Sequence, residues 1–245
     1  MHGSDSEKSS VAYQSMLLKL SGEAISGGGG VFHMPTVERI AREIGSVHAL
    51  GVKMGVVIGG GNMVRGAELS GHGIGRVRSD SMGMLATLMN SLLLAEVLEQ
   101  VSTPAVVQSA LPVDTVAESI DLAKTGEYLE SGKVVIFAAG TGSPYFTTDT
   151  AAALRACEIR ADVLLKATKV DGVYDRDPVK HSNASLFKSL TYEEVLKRRL
   201  GVMDMAAVSM CRDNGIPIVI FNILKEGSLE KIAGGRPVGT TITEV

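Results

Sequence analysis

Residues 134–168 read VVIFAAGTGSPYFTTDTAAALRACEIRADVLLKAT. The apolar run Val134–Ala138 opens this stretch and a second run, Asp162–Lys166, closes it. Between them lie a loop of glycine, hydroxyl and aromatic residues and a helix-length segment, Thr150–Glu158. Short V/I/L/A runs of this kind read as strands buried on both faces, and a helix between two of them makes the connection a parallel crossover. The stretch is therefore a β-α-β unit whose first strand ends in a loop able to approach a ligand.

The same alternation extends along the chain. Strand-like runs occupy Met16–Leu20, Met54–Ile58, Ala105–Gln108 and Ile218–Phe221, with a further strand near Thr240–Thr243. Helical stretches are predicted at Thr36–Leu50, Asp80–Gln100, Val116–Lys124, Tyr192–Arg198 and Met205–Asp213. The fold class is α/β, a mostly parallel sheet covered by helices on both faces. No internal repeat, low-complexity linker or break in composition marks a second domain. Residues 1–15 are predicted as a polar tail and 16–245 as a single domain. The Asp80–Gln100 segment is apolar around most of its circumference, which predicts burial on several sides, in a central core or at a subunit interface.

Composition narrows the function classes. The 245 residues carry a net charge of −3 and 45% hydrophobic residues, enough for a large core and without the basic excess of a nucleic-acid binder. Cys157 and Cys211 are far apart and outside any CxxC spacing, which predicts two reduced thiols. The polar, Ser-rich start has no apolar core of a secretory leader. No apolar run approaches the roughly 18 residues of a membrane span. A cytoplasmic protein with no membrane and no nucleic-acid partner is expected.

Four strand ends carry groups suited to phosphate. The first is Lys19-Leu20-Ser21-Gly22, a lysine inside an apolar strand. It either faces solvent at an edge or has a charge to meet, because an unpaired buried ammonium is costly. The second is Gly59-Gly60-Gly61-Asn62, followed by Arg65. It reads as an anion-binding nest with a guanidinium beside it, or else as a plain turn. The third is Thr141-Gly142-Ser143-Pro144-Tyr145-Phe146-Thr147-Thr148-Asp149, running into a helix start. Thr148 or Asp149 reads as an N-cap, which does not exclude ligand binding there. The fourth is Lys166-Ala167-Thr168, continuing through Tyr174 to Asp177.

Two strand lysines, 19 and 166, suit phosphoryl transfer, where position and positive charge stabilise the transition state. The familiar nucleotide signatures are missing. The stretch from Gly126 to Gly132-Lys133-Val134 is one residue too long for GxxxxGK[ST] and lacks its hydroxyl. Gly71, Gly73 and Gly75 do not follow a strand, and the protein-kinase signature set is not present.

In this order, the stretches KLSGEA, VVIGGGN with its following RG, DSMGMLATLMN, AAGTGSPYFTTD, ADVLLKATKVDGVY and VMDMAA closely resemble those of bacterial UMP kinases, a branch of the amino-acid-kinase superfamily. The resemblance runs from about Met16 to Glu244. It implies a three-layer αβα sandwich and Mg²⁺-dependent transfer of the ATP γ-phosphoryl group to UMP, in pyrimidine nucleotide biosynthesis. It further implies that Lys19, Leu20, Ser21, Gly22, Gly61, Arg65, Thr168, Tyr174 and Asp177 bind ATP. Gly60, Asp80 and Thr141, Gly142, Ser143, Pro144, Tyr145, Phe146, Thr147 and Thr148 would bind UMP. Lys19 and Lys166 would be the transition-state cations, oriented by Asp149, with Mg²⁺ carried on ATP. A homohexamer built from dimers and regulation by nucleotides, UTP inhibition among them, are also implied. The glycine-rich loop Ser26–His33 departs from the loop of GTP-activated relatives, so GTP activation is not carried over. The alternatives on this scaffold are a kinase for a small acid and a non-catalytic nucleotide-storage protein.

Overall fold

The computed structural model describes residues 11–27, 30–65, 69, 71–178, 180–181 and 183–244. Strand β1 (Ser15–Leu20) is buried at all six positions. Its alternate side chains enter two different cores: Met16, Leu18 and Leu20 one, Leu17 the other. A strand covered on both faces reads as a continuous apolar run for this reason.

The remaining elements follow in chain order: α1 (Met34–Ala49), β2 (Lys53–Ile58), α2 (Arg76–Gln100), β3 (Ala105–Ser109), β4 (Glu118–Ser119), α3 (Leu122–Glu130), β5 (Val134–Ala138), α4 (Thr148–Glu158), β6 (Val163–Thr168), β7 (Ser189–Thr191), α5 (Tyr192–Arg198), α6 (Met205–Asp213), β8 (Ile218–Asn222), α7 (Ser228–Ala233) and β9 (Thr240–Thr243). The strands form one sheet ordered β4-β3-β5-β2-β1-β6-β8-β9-β7. The β8–β9 pair is antiparallel and the other pairs are parallel. One core lies under α1, α2 and α7, and the other under α3 to α6. The expected α/β sandwich with a mostly parallel sheet is the observed architecture.

Several boundaries differ from expectation. The helix expected at Val116–Lys124 starts instead at Leu122. Asp121 caps it by accepting from the amides of Ala123 and Lys124, while Glu118 and Ser119 pair with β3 at the sheet edge. The long helix begins a turn before Asp80, at Arg76. The short elements β4, β7 and α7 were not anticipated from the sequence, being too brief to show a period. Residues 1–10 of the expected tail lie outside the described residues, but Ala12 already donates to the Ala233 carbonyl at 2.7 Å.

Within this chain helix α2 is buried on one side: Met84, Leu88, Leu94 and Leu98 enter the core while Met82, Leu85 and Met89 stand exposed on another face. By length and composition it does meet the requirements of a membrane span, with an 18-residue window of mean hydropathy 1.5, half of it buried inside the chain. The buried part includes Thr87 and Asn90, whose polar groups hold the site described next. Both cysteines are free, and burial pushes the Cys211 thiol up to about 12, so it is an unreactive core group.

Candidate active site

Parallel pairing sets Lys19 of β1 directly opposite Lys166 of β6. Register partners share a face, so both ammonium groups emerge on the side covered by α4. Ala151, Ala152, Ala153 and Ala156 on that helix are fully buried, and these small side chains let α4 lie close to the sheet. Its first turn thereby delivers Asp149, whose Oδ1 lies 2.8 Å from Lys19 Nζ and whose Oδ2 lies 2.7 Å from Lys166 Nζ. All three side chains are at most 15% exposed.

The cluster is two cations on one carboxylate, with net charge +1 in a site largely closed to water. Burial would raise the Asp149 carboxyl pKa, but the two ammonium groups hold it below the ordinary carboxylate value. Burial lowers the Lys166 ammonium pKa, against the upward pull of Asp149. Lys166 also donates to the Val202 carbonyl. Partial shielding from solvent strengthens the attraction of the surplus charge for an anion.

Asp149 is free to face the lysines because another residue caps α4. The cap is Thr147, rather than the expected Thr148 or Asp149. Its hydroxyl accepts from the Asp149 and Thr150 amides and donates to Asp204. Thr150 donates to the same Asp204 oxygen at 2.9 Å, while the other Asp204 oxygen caps α6. Asp204 lies in the VMDMAA stretch without an expected role of its own. Its position, just before a helical run, was the available signal.

Close approach requires glycine at Gly22 and Gly60, whereas a Cβ on Gly61 would meet only Glu23 Cγ, at 4.0 Å. None of Gly59, Gly60 and Gly61 has a left-handed φ, and their turn is closed by the Met63 and Val64 amides on the Gly60 carbonyl. A Cβ on Gly22 would lie 2.5 Å from Asn62 Oδ1 and 2.7 Å from the Gly59 carbonyl, and one on Gly60 would lie 2.7 Å from the Gly83 carbonyl. Asn90, buried within α2, donates to the Gly59 carbonyl at 2.6 Å and exchanges amide hydrogen bonds with Asn62. A fully buried amide in an apolar helix needs such partners, which is the sequence signal that could have found it. The left-handed residues instead lie in the next loop, at Ala139, Gly140, Gly142 and Tyr145. Thr87 fixes the start of that loop by accepting from the Ala139 amide at 2.8 Å.

Two cavities flank the lysine cluster. One, of about 230 Å³, is walled by Gly60, Gly61, Asp80, Thr141, Ser143, Phe146, Thr147 and Thr148. Gly142, Pro144 and Tyr145 belong to the same loop without lining it. Asp80 Oδ2 accepts from the Tyr145 amide at 2.7 Å and from Arg76 at 3.2 Å, and Arg76 lies over the Tyr145 ring. The other cavity, of about 530 Å³, contains Lys166, Thr168, Tyr174 and Asp177. Thr168 spends its hydroxyl on the Val170 and Phe221 carbonyls. Leu20 is fully buried and its carbonyl accepts from the Gly59 amide at 2.9 Å, and neither it nor Ser21 or Gly22 lines either cavity. Arg65 is paired with Glu23 at 2.9 Å. In the loop Ser26–His33, Gly27 and Gly30 form a bridge, and Gly28 and Gly29 lie outside the described residues.

Residues 15–222 match the model of the amino acid kinase family. The uridylate kinase of Stutzerimonas stutzeri is 53% identical over 233 residues, covering 95% of this chain and 94% of that one. The uridylate kinase of Pseudomonas aeruginosa is also 53% identical, with 95% of each chain covered. Among solved structures, the UMP kinase of Bacillus anthracis superposes with a TM-score of 0.92 at 37% identity, covering 95% of this chain and 96% of that one. The UMP kinase of Ureaplasma parvum gives 0.88 at 31% identity, covering 94% and 98%. The chain belongs to the amino acid kinase family.

Proposed function

We propose that this member of the amino acid kinase family transfers the γ-phosphoryl group of ATP to UMP, giving UDP and ADP. The observation that carries the reading is the Lys19–Asp149–Lys166 cluster set between two cavities. UMP occupies the cavity at Asp80, whose carboxylate is an acceptor suited to ribose hydroxyls. The Tyr145 amide engages Asp80 Oδ2, and Oδ1 accepts from the ribose. Gly60 and Thr141 to Thr148 surround the rest of UMP. ATP lies across Lys19 to Gly22, Gly61 and Arg65, with its nucleoside in the cavity of Thr168, Tyr174 and Asp177.

In the reaction an ionised UMP phosphate oxygen attacks the γ-phosphorus. A new P–O bond forms, the bond to the β–γ bridging oxygen breaks, and ADP leaves with that electron pair. The acceptor is already ionised at neutral pH, so no base is needed. Lys19 and Lys166 neutralise charge on the transferring oxygens, and Asp149 holds their spacing. Mg²⁺, which supplies further charge neutralisation to the phosphates, fits as a passenger on ATP. Both Asp149 oxygens face ammonium groups, and among the described residues no three His, Cys, Asp or Glu side chains are grouped to hold an ion.

The exposed Met82, Leu85 and Met89 stripe of α2 supports assembly through that helix into dimers and thence a hexamer. A coupled assay of ADP release with UMP, CMP, aspartate and acetylglutamate tests the function. Turnover with UMP far above the rest supports it. A small-acid kinase would prefer one of the acids, a storage protein would turn over none, and either result contradicts it.

A further inference from the structure

Helix α2 carries four hydroxyl side chains, and three of them are spent within the helix. Ser81 donates to the Val77 carbonyl at 2.8 Å, Thr87 to Met84 at 2.7 Å and Ser91 to Thr87 at 2.8 Å. Ser79 is the exception. It is 2% exposed, its Oγ has no partner among the described residues, and it forms part of the wall of the Asp80 cavity. A buried hydroxyl without a partner is costly, and in a polar cavity a ligand can supply what the protein does not. Asp80 beside it can only accept, whereas a serine hydroxyl both donates and accepts, as do the two ribose hydroxyls.

We propose that Ser79 Oγ hydrogen-bonds the 2′-hydroxyl of the acceptor ribose and so determines preference for a ribonucleotide over a deoxyribonucleotide acceptor. This rests on the reading of the Asp80 cavity as the UMP site. The contact adds specificity because a deoxyribose leaves the serine buried and unpaired again.

The test is Ser79→Ala, an almost isosteric change, assayed with UMP and with dUMP beside the unaltered protein. The expected result is a roughly 3- to 10-fold fall in kcat/KM for UMP, expressed mainly in KM. With dUMP the change stays within about twofold, and Ser79→Thr, which keeps the hydroxyl, preserves the preference for UMP. Equal losses on both acceptors, or a lowered Tm with an unaltered UMP/dUMP ratio, would assign Ser79 a structural role and overturn the proposal. No UDP from the unaltered protein would instead sink the underlying function, so the two failures are distinguishable.

Discussion

Lys19 and Lys166 are register partners on adjacent parallel strands, and a single carboxylate from the first turn of α4 takes both ammonium groups, at 2.8 and 2.7 Å. The pairing converts a costly arrangement, two like charges side by side in a buried setting, into a fixed site with one surplus positive charge. Asp149 thereby prepays the organisation of the cations before any phosphate arrives, which is the condition under which electrostatic stabilisation is most effective.

The ionisation of this cluster predicts its pH behaviour. Asp149 has a native pKa below its ordinary 3.8, so its contribution to stability is complete above that value. It is lost as pH falls from there through the native pKa. Lys166 has a native pKa below its ordinary 10.5, so it loses its proton, and the site its charge, sooner than a free lysine would. The free protein's ionisation governs kcat/KM, whose profile is expected to show an alkaline limb below 10.5. Lys166→Arg, charged to above about pH 12, should remove that limb even at a reduced rate. Identical limbs in both proteins would assign it elsewhere.

Asp80→Asn should act through acceptor binding. The amide keeps an oxygen for the Tyr145 and Arg76 N–H groups but replaces the other acceptor with a donor and removes the charge that pairs with Arg76. KM for UMP should rise roughly tenfold, the scale of one hydrogen bond to a charged group, with kcat largely spared. Steady-state kinetics with saturating ATP checks this, and a fall confined to kcat speaks against the ribose assignment.

Gly60→Ala should cost stability. Its Cβ would stand 2.7 Å from the Gly83 carbonyl and 2.8 Å from Ala86 Cβ, on a helix that cannot yield locally. Overpacking of this kind costs about 1–3 kcal/mol, which lowers Tm by roughly 3–10 °C in a chain this size. Calorimetry measures it directly. An unchanged Tm would mean that α2 can move away from the glycine turn.

What the sequence made legible follows from which features are local. A lysine in an otherwise apolar strand is conspicuous at both 19 and 166, and the run from Val134 to Thr168 declares its own β-α-β path. The register that sets those lysines side by side depends on strand pairing between residues far apart, which no local pattern carries. The glycine triplet was legible as a special turn, but its reason, the close approach of Gly60 to Gly83 and Ala86, needed three dimensions. Thr147 displaced Asp149 as the helix cap because Asp204 arrives from a distant segment to hold it. Arg65, expected beside phosphate, meets Glu23, a pairing that its own neighbourhood does not announce. The shift of α3 was in principle readable, since Asp121 is a strong capping residue immediately before Leu122.

The most direct test of the account is the kcat of Lys19→Met and of Lys166→Met with UMP, measured together with UMP affinity by calorimetry. Each variant should lose roughly 10²–10³ in kcat, the scale of one preorganised electrostatic contact, while the dissociation constant for UMP stays within about threefold, since the lysines act on the transferring phosphoryl group rather than on the nucleoside. Near-normal kcat in either variant would contradict the claim that this pair of lysines carries the transfer.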